Sequence, residues 1–332
     1  MSTPKRVTMA EVAAAARVSI PTVSKVLNGR ADVAPGTRER IESLLSEYGY
    51  RGAPRKPRHR GLIDLVFTDL SPWAIEIIHG AEHAALAAKA RIAVTMVSDH
   101  QEISRWLASL AARPSDGVIL VLTELAPQHR NRLDALGLPL VIVDPVGRPD
   151  PAVPSIGAAN WAGGLAATQH LVDLGHRRIA TITGRPSVLC SQARLDGYRA
   201  ALERAGIPID PALIVAGDFR YESALAAASR LLSLPDPPTA IVTASDIDAM
   251  GVYEAARQHD LRLPRDLSVV GFDDVPMAQW MAPPLTTVRQ PLAEMAALAV
   301  RTLVANDAHQ YNQRVELATN LVVRSSTAPP AG

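Results

Sequence analysis

The stretch "VSIPTVSKVLNG", Val18 to Gly29, carries side chains that can read a nucleic-acid duplex. Hydroxyls on Ser19, Thr22 and Ser24 can bond phosphates or base edges, and Lys25 can reach a guanine or a phosphate. Ile20 and Pro21 lack side-chain donors, so they can read bases only by apolar contact, for example with thymine methyls. A second group of residues stands at the ends of apolar runs further along the chain. There Asp69, Asp144, Arg194, Asp246 and Asp273 offer charge-assisted hydrogen bonds to hydroxyls, beside the neutral groups of Ser71, Asn160 and Ser245. Trp73, Trp161, Phe219 and Trp280 offer rings on which the C–H faces of a sugar can pack. Only 4% of the chain is aromatic, so tryptophans at these positions favour a carbohydrate over a purine. Each tryptophan could equally pack under a loop. Asp246 and Asp273 could equally cap a helix or make a structural hydrogen bond.

The first group needs a compact helical frame. Thr8 and Glu11 have the S/T-x-x-E spacing of a capping box, and Val12, Ala13 and Ala16 then recur on one face. Ser19 is a good second N-cap, Pro21 fits the turn that follows, and Asn28-Gly29 is a left-handed stop. A third helix fits Pro35 to Tyr48, with Ile41, Leu44 and Leu45 inward. This is the pattern of a helix-turn-helix unit, whose second helix offers its N-terminal residues to the major groove. A small helical protein-binding module with a solvated basic face has the same spacing.

Charge separates the two readings. Residues 1–60 hold 12 Lys/Arg against 5 Asp/Glu, whereas the whole chain of 332 residues has a net charge of only +1. A basic tip on an acidic body points to nucleic acid. Residues 51–61 follow as a Pro-interrupted basic linker, in which Arg55, Lys56 and Arg58 can lie along phosphates or enter a narrow minor groove.

The second group needs strands. "LIDLVF", "IAVTMV", "GVILVL", "PLVIVD", "RIATIT", "AIVTAS" and "LSVVGFD" alternate with helical stretches at Ala74–Ala90, Trp161–Leu174, Gln192–Ala205 and Asp246–Gln258. Such alternation predicts parallel sheets covered by helices, with ligands at the C-terminal strand ends. Residues 62–332 are too many for one ordinary open sheet, so two α/β subdomains with a cleft between them are expected. The tail "SSTAPPAG" reads as frayed.

Together these stretches resemble the lactose/galactose repressor family of bacterial helix-turn-helix transcription factors. "VTMAEVAAAARVSIPTVSKVLNG" with "VAPGTRERI" matches its headpiece; "HLVDLGHRRIATITG", "ARLDGYRAAL", "TASDIDAMGV", "LSVVGFDD" and "PPLTTVRQP" match its periplasmic-binding-protein-like core of two doubly wound subdomains. The resemblance implies a headpiece at residues 1–50 and an effector-binding, dimerising core at 62–332. Subdomain one then takes about 62–158 and 289–316, and subdomain two about 159–288 and 317–332. Ser19, Ile20, Pro21, Thr22, Ser24, Lys25 and Asn28 become the DNA-contacting positions, with Thr8 in the same set, and Arg194 the main effector-binding residue. Arg17 stands where the family most often has glycine, at a cost of about 1 kcal/mol if left-handed. The family's linker forms a hinge helix with a wedging leucine; here Pro54 and Pro57 oppose a helix and no such leucine is present. Where the family often has Asp-Asn this chain has Ala159-Asn160 followed by Trp161, which implies a sugar of more than one ring.

Other chemistry is poorly supported. The sequence has no phosphate loop, H-E-x-x-H or G-x-S-x-G motif, and its histidines show no ligand spacing. Cys190, the only cysteine, reads as a buried neutral thiol near the cleft. Asp246/Asp248 and Asp273/Asp274 could be imagined as a metal or acid–base cluster, but an enzyme would not need the basic headpiece. No catalytic residue, metal or cofactor is expected. With no secretory signal or membrane span in the sequence, the cytoplasm is the expected location. The expected function is a homodimeric, sugar-released repressor on a palindromic operator. The rival is a cytoplasmic sugar-binding or sugar-modifying protein with a basic docking domain.

Overall fold

The computed structural model describes residues 9–27, 33–47, 61–113, 115–122, 125–305 and 314–331. Thr8, Asn28 and the linker cations Arg55, Lys56 and Arg58 lie outside them. Residues 1–59 and 60–332 form two separate compact units.

In the first unit, α1 (Met9–Ala15), α2 (Ile20–Leu27) and α3 (Pro35–Glu47) enclose a core of Val12, Ala13, Ala16, Val23, Val26, Val33 and Ile41. Arg17 adopts φ 51°, and the amides of Arg17 and Val18 donate to the carbonyls of Ala14 and Ala13 at 3.1 and 3.0 Å. That is a Schellman ending, which satisfies the last carbonyls of α1 and turns the chain within three residues. Ser19 then caps α2, its Oγ accepting from the Thr22 amide at 3.3 Å.

The second unit holds two six-stranded sheets. The first contains β1 (Leu62–Phe67), β2 (Arg91–Met96), β3 (Gly117–Val121), β4 (Leu140–Val143), β5 (Ser155–Ala158) and β11 (Arg314–Leu317), in the order β11-β5-β4-β3-β1-β2. The second contains β6 (Ile179–Thr183), β7 (Ile214–Ala216), β8 (Ala240–Thr243), β9 (Ser268–Asp273), β10 (Thr286–Arg289) and β12 (Asn320–Val322), in the order β12-β10-β9-β8-β6-β7. Every pairing is parallel except that of β10 with β12. Strands β3, β6, β8 and β9 are buried at every residue, which is why they read as unbroken apolar runs rather than alternating ones.

Helices α4 (Pro72–Ala87) and α11 (Leu292–Ala305) cover one face of the first sheet, and α5 (His100–Ala112) and α6 (Pro127–Ala135) the other. On the second sheet, α7 (Asn160–Asp173) and α8 (Leu189–Arg204) share one core, and α9 (Tyr221–Leu232) and α10 (Asp246–Gln258) share another. The chain passes between sheets three times: after Ala158, between Arg289 and Leu292, and between Leu317 and Asn320. Arg289 and Leu317 each stay paired in the strand before the passage, one residue beyond the boundaries drawn from sequence.

The tail corrects an expectation. It is docked, not frayed. Ser326 is fully buried, with its Oγ accepting from the Thr286 amide at 2.8 Å and donating to the Val269 carbonyl at 2.6 Å. His176 bridges the Thr239 hydroxyl and the Ala328 carbonyl at 2.8 and 2.9 Å. A Ser/Pro-rich segment can be ordered this way when the rest of the fold offers partners for its backbone.

Candidate ligand cleft and nucleic-acid interface

A cavity of about 480 Å³ opens at the C-terminal ends of strands from both sheets. The first subdomain brings Asp69, Ser71, Trp73 and Asp144 to it; the second brings Arg194, Phe219, Ser245 and Asp273. The same walls include Thr68, Ser98, Arg185, Ser187, Asp218, Arg220 and Ile247, which the sequence reading missed. Their signal was the one already used, a place just past a strand end, but it was applied to too few residues at each end.

Backbone geometry aims these groups. Four non-glycine residues of the cavity wall are left-handed: Leu122 (φ 44°), Asp144 (φ 51°), Phe219 (φ 67°) and Asp273 (φ 114°). They stand past or at the ends of β3, β4, β7 and β9, where an ordinary turn would carry the side chain elsewhere. The Phe219 ring lies directly on Gly184, where any Cβ would sit 2.0 Å from a ring carbon.

Arg194 is buried and held from several sides. Its Nε donates to Asn160 Oδ1 at 2.8 Å, one terminal nitrogen donates to the Ala244 carbonyl, and that nitrogen lies 3.9 Å from Asp273 Oδ1. The guanidinium stacks 3.6 Å over the Phe272 ring. Helix α8 comes close enough to do this because Gly164 of α7 lets the Arg194 backbone approach; a Cβ there would sit 2.3 Å from its carbonyl oxygen.

Burial pushes Asp144 up, partly opposed by Arg194. Burial also pushes Asp273 up to about 7, against the pull of Arg194 and a hydrogen bond from Gln290. Cys190 lines the cavity as a neutral thiol, its pKa pushed by burial to about 12. The wall thus combines carboxylates, hydroxyls, cations and three aromatic rings (Phe67, Trp73 and Phe219), an array suited to a hydroxyl-rich neutral ligand.

Four expected cleft residues do not line the cavity. Asn160 stands behind Arg194 as its strut, with Nδ2 donating to the Ala158 carbonyl at 3.0 Å. Asp246 is fully buried and structural, accepting from Thr287 Oγ1 at 2.5 Å and the Val275 amide at 2.9 Å. Trp161 sits on the outer side of α7, 43% exposed, with its ring 5.8 Å from the Arg204 guanidinium. Trp280 follows a single 3-10 turn and is 78% exposed. The rotation of α7 and the length of that turn, neither visible in a strand-end rule, carry both rings away.

On the headpiece, Ser19, Ile20, Pro21 and Lys25 are exposed along the start of α2 and Thr22 is half-buried, its hydroxyl 2.8 Å from that of Ser19. Ser24 lies on the same helix.

Residues 8–52 match the family model described as bacterial regulatory proteins, lacI family, and residues 168–327 match a periplasmic binding protein-like domain. The ribose operon repressor of Escherichia coli (strain K12) is 34% identical over 328 residues, covering 96% of this chain and 99% of that protein. The chain belongs to the LacI family of bacterial regulatory proteins. This LacI-family chain is a DNA-binding transcriptional regulator, with the helix-turn-helix at its N-terminus, followed in sequence by two α/β subdomains. Two solved structures of the family share this architecture. One, a complex of the regulator CelR with cellobiose, has 35% identity and a TM-score of 0.75, covering 97% of this chain and 100% of the other. The other, a lac repressor dimer bound to operator and the anti-inducer ONPF, has 28% identity and a TM-score of 0.70, covering 98% and 100%.

Proposed function

We propose that this LacI-family regulator represses carbohydrate-utilisation genes from a palindromic operator and releases it when a sugar fills the cleft. The observation that carries this is the cavity wall, in which both subdomains present hydroxyl-binding groups around Arg194, with Trp73 and Phe219 available as stacking faces. A cavity of about 480 Å³ suits a sugar of more than one ring better than a single pyranose, and cellobiose, the ligand of the CelR complex, is the first candidate. Trp161 no longer supports that size argument.

Two copies are needed because one headpiece reads only a half-site. Exposed apolar side chains are available for pairing on the first subdomain: Leu70 just before α4, Ile75 and Leu86 on α4, and Val94 and Met96 on the edge strand β2. Sugar bridging the two subdomains changes their angle, separates the paired linkers and weakens operator binding. Thr8, Ser19, Ile20, Pro21, Thr22, Ser24, Lys25 and Asn28 contact the duplex. Arg55, Lys56 and Arg58 follow phosphates with little bending, which a circular-permutation gel shift without a strong central kink would support. The protein acts in the cytoplasm, without a cofactor and without catalysing a reaction on the sugar.

The test is Arg194→Ala. Cellobiose should no longer release a duplex taken from the protein's own promoter region, while binding of that duplex in the absence of sugar persists. Release by cellobiose at wild-type concentrations in the variant would refute the assignment of the cleft.

A further inference from the structure

Two of the three passages between subdomains hold the charged pair at the centre of the cleft. At the first passage, Asn160 binds Arg194. At the second, Gln290 is buried, its Nε2 donating to Asp273 Oδ1 at 2.6 Å and its backbone amide donating to the Asp273 carbonyl at 3.2 Å. The neighbouring Arg289 donates to Asp274 Oδ2 at 2.6 Å, and Arg324, beyond the third passage, binds the other oxygen of Asp274 at 2.5 Å. Asp273 and Asp274 are both left-handed, at φ 114° and 58°.

The two struts differ in one respect. Asn160 uses both ends of its amide, on Arg194 and on Ala158. Gln290 uses only its nitrogen, and its buried Oε1 has no hydrogen-bond partner. A fully satisfied strut has one arrangement. An amide with an unused acceptor keeps capacity for one more donor, so it can exchange partners when the site fills.

We propose that Gln290 is the positioning residue that converts sugar capture at Asp273 into movement of the second passage. This rests on the regulatory reading above. With the cleft empty, Gln290 holds the passage to the β9 end. When Asp273 accepts sugar hydroxyls, the Gln290 amide is released from Oδ1 and the passage shifts. Asp273 is also faced by Arg194 of α8, Asp144 at the end of β4, and Asp246 and Asp248 of α10, so its charge is set by several elements, while its carboxylate is bound directly by a passage side chain at Gln290.

The experiment uses the full-length protein, a promoter-region duplex and cellobiose as the probe. Cellobiose affinity is measured with and without duplex, and duplex affinity with and without cellobiose; in the wild type the two ratios agree. In Gln290→Met the ratio should fall to about one, with sugar-free duplex affinity lowered to that of the sugar-bound wild type and the melting temperature kept. The midpoint of the pH dependence of cellobiose affinity should also move upward, because the ionised Asp273 has lost a donor. Gln290→Leu, which also lacks the donor, should behave alike and serves if the methionine variant does not fold. A merely structural role would lower the melting temperature and duplex affinity together and leave the ratio in place. The proposal is overturned by a wild-type ratio retained in either variant, or by failure of both to fold. A wild-type ratio of one would remove the regulatory reading itself and this inference with it.

Discussion

At the scale of the residue, the cleft is a problem of where one proton sits. Asp273 is buried beside Arg194, yet burial outweighs that partner and its pKa lies at about 7. The folded value lies above the unfolded one, so the stability the carboxyl contributes is present below about pH 4 and is lost as pH rises through 7. Ligand binding has the opposite sign, because an ionised carboxylate accepts sugar hydroxyls better than a protonated one. Cellobiose affinity should therefore rise by up to about tenfold between about pH 6 and 8, and Asp273→Asn should flatten the profile in isothermal titration. A wild-type profile flat across that range would show that Asp273 is not the accepting group.

At the scale of the element, one contact decides whether the site forms and another how the end of the chain is held. Helices α7 and α8 meet backbone to backbone at Gly164, and the carbonyl there belongs to Arg194 itself. Gly164→Ala should destabilise the protein by about 1–3 kcal/mol through overpacking and weaken cellobiose binding in the same variant. Chemical denaturation and titration measure the two effects. The docked tail supplies the second contact. Burial lowers the pKa of both His170 and His176, so each is held neutral in the folded protein. A depressed folded value means that their contribution is complete above about pH 6.5 and is lost as pH falls through the folded value. The melting temperature should drop between about pH 7 and 5.5, and less steeply in His170→Gln, whose ring otherwise meets the Thr327 hydroxyl at 2.9 Å.

At the scale of the whole molecule, a net charge of only +1 hides a cationic headpiece and an acidic remainder, and a regulator with one headpiece per chain needs a second copy. The exposed side chains of α4 and β2 are where a second copy can bury apolar surface, with Leu86 68% exposed and Met96 49%. Met96→Asp should give a monomer in analytical ultracentrifugation and weaken operator binding by about a hundredfold or more, because the second headpiece no longer binds as part of the same molecule. A Met96→Asp protein that stays dimeric would place the interface elsewhere.

Much of this was legible in the sequence, for local reasons. The cap at Ser19, the left-handed turn at Arg17 and the start of α10 at Asp246 depend on neighbours within a few residues, and the structure has them where the spacing puts them. Buried and largely buried strands announce themselves as apolar runs, so Asp69, Asp144, Ser245 and Asp273 could be found by looking just past or at their ends. The strands β5, β10, β11 and β12 gave no such signal, since glycine or polar residues break their four- and three-residue runs, and β7 is only three residues long. Only the folded chain decided which side of an element a residue faces. Trp161 and Asn160 are adjacent in sequence, yet one lies outside on α7 and the other braces Arg194, because helical rotation turns each successive residue by about 100°. The partners that fix Arg194, Asp273 and the docked tail come from segments tens to more than a hundred residues away, and their meeting depends on three chain passages and two helix packings that no local pattern encodes.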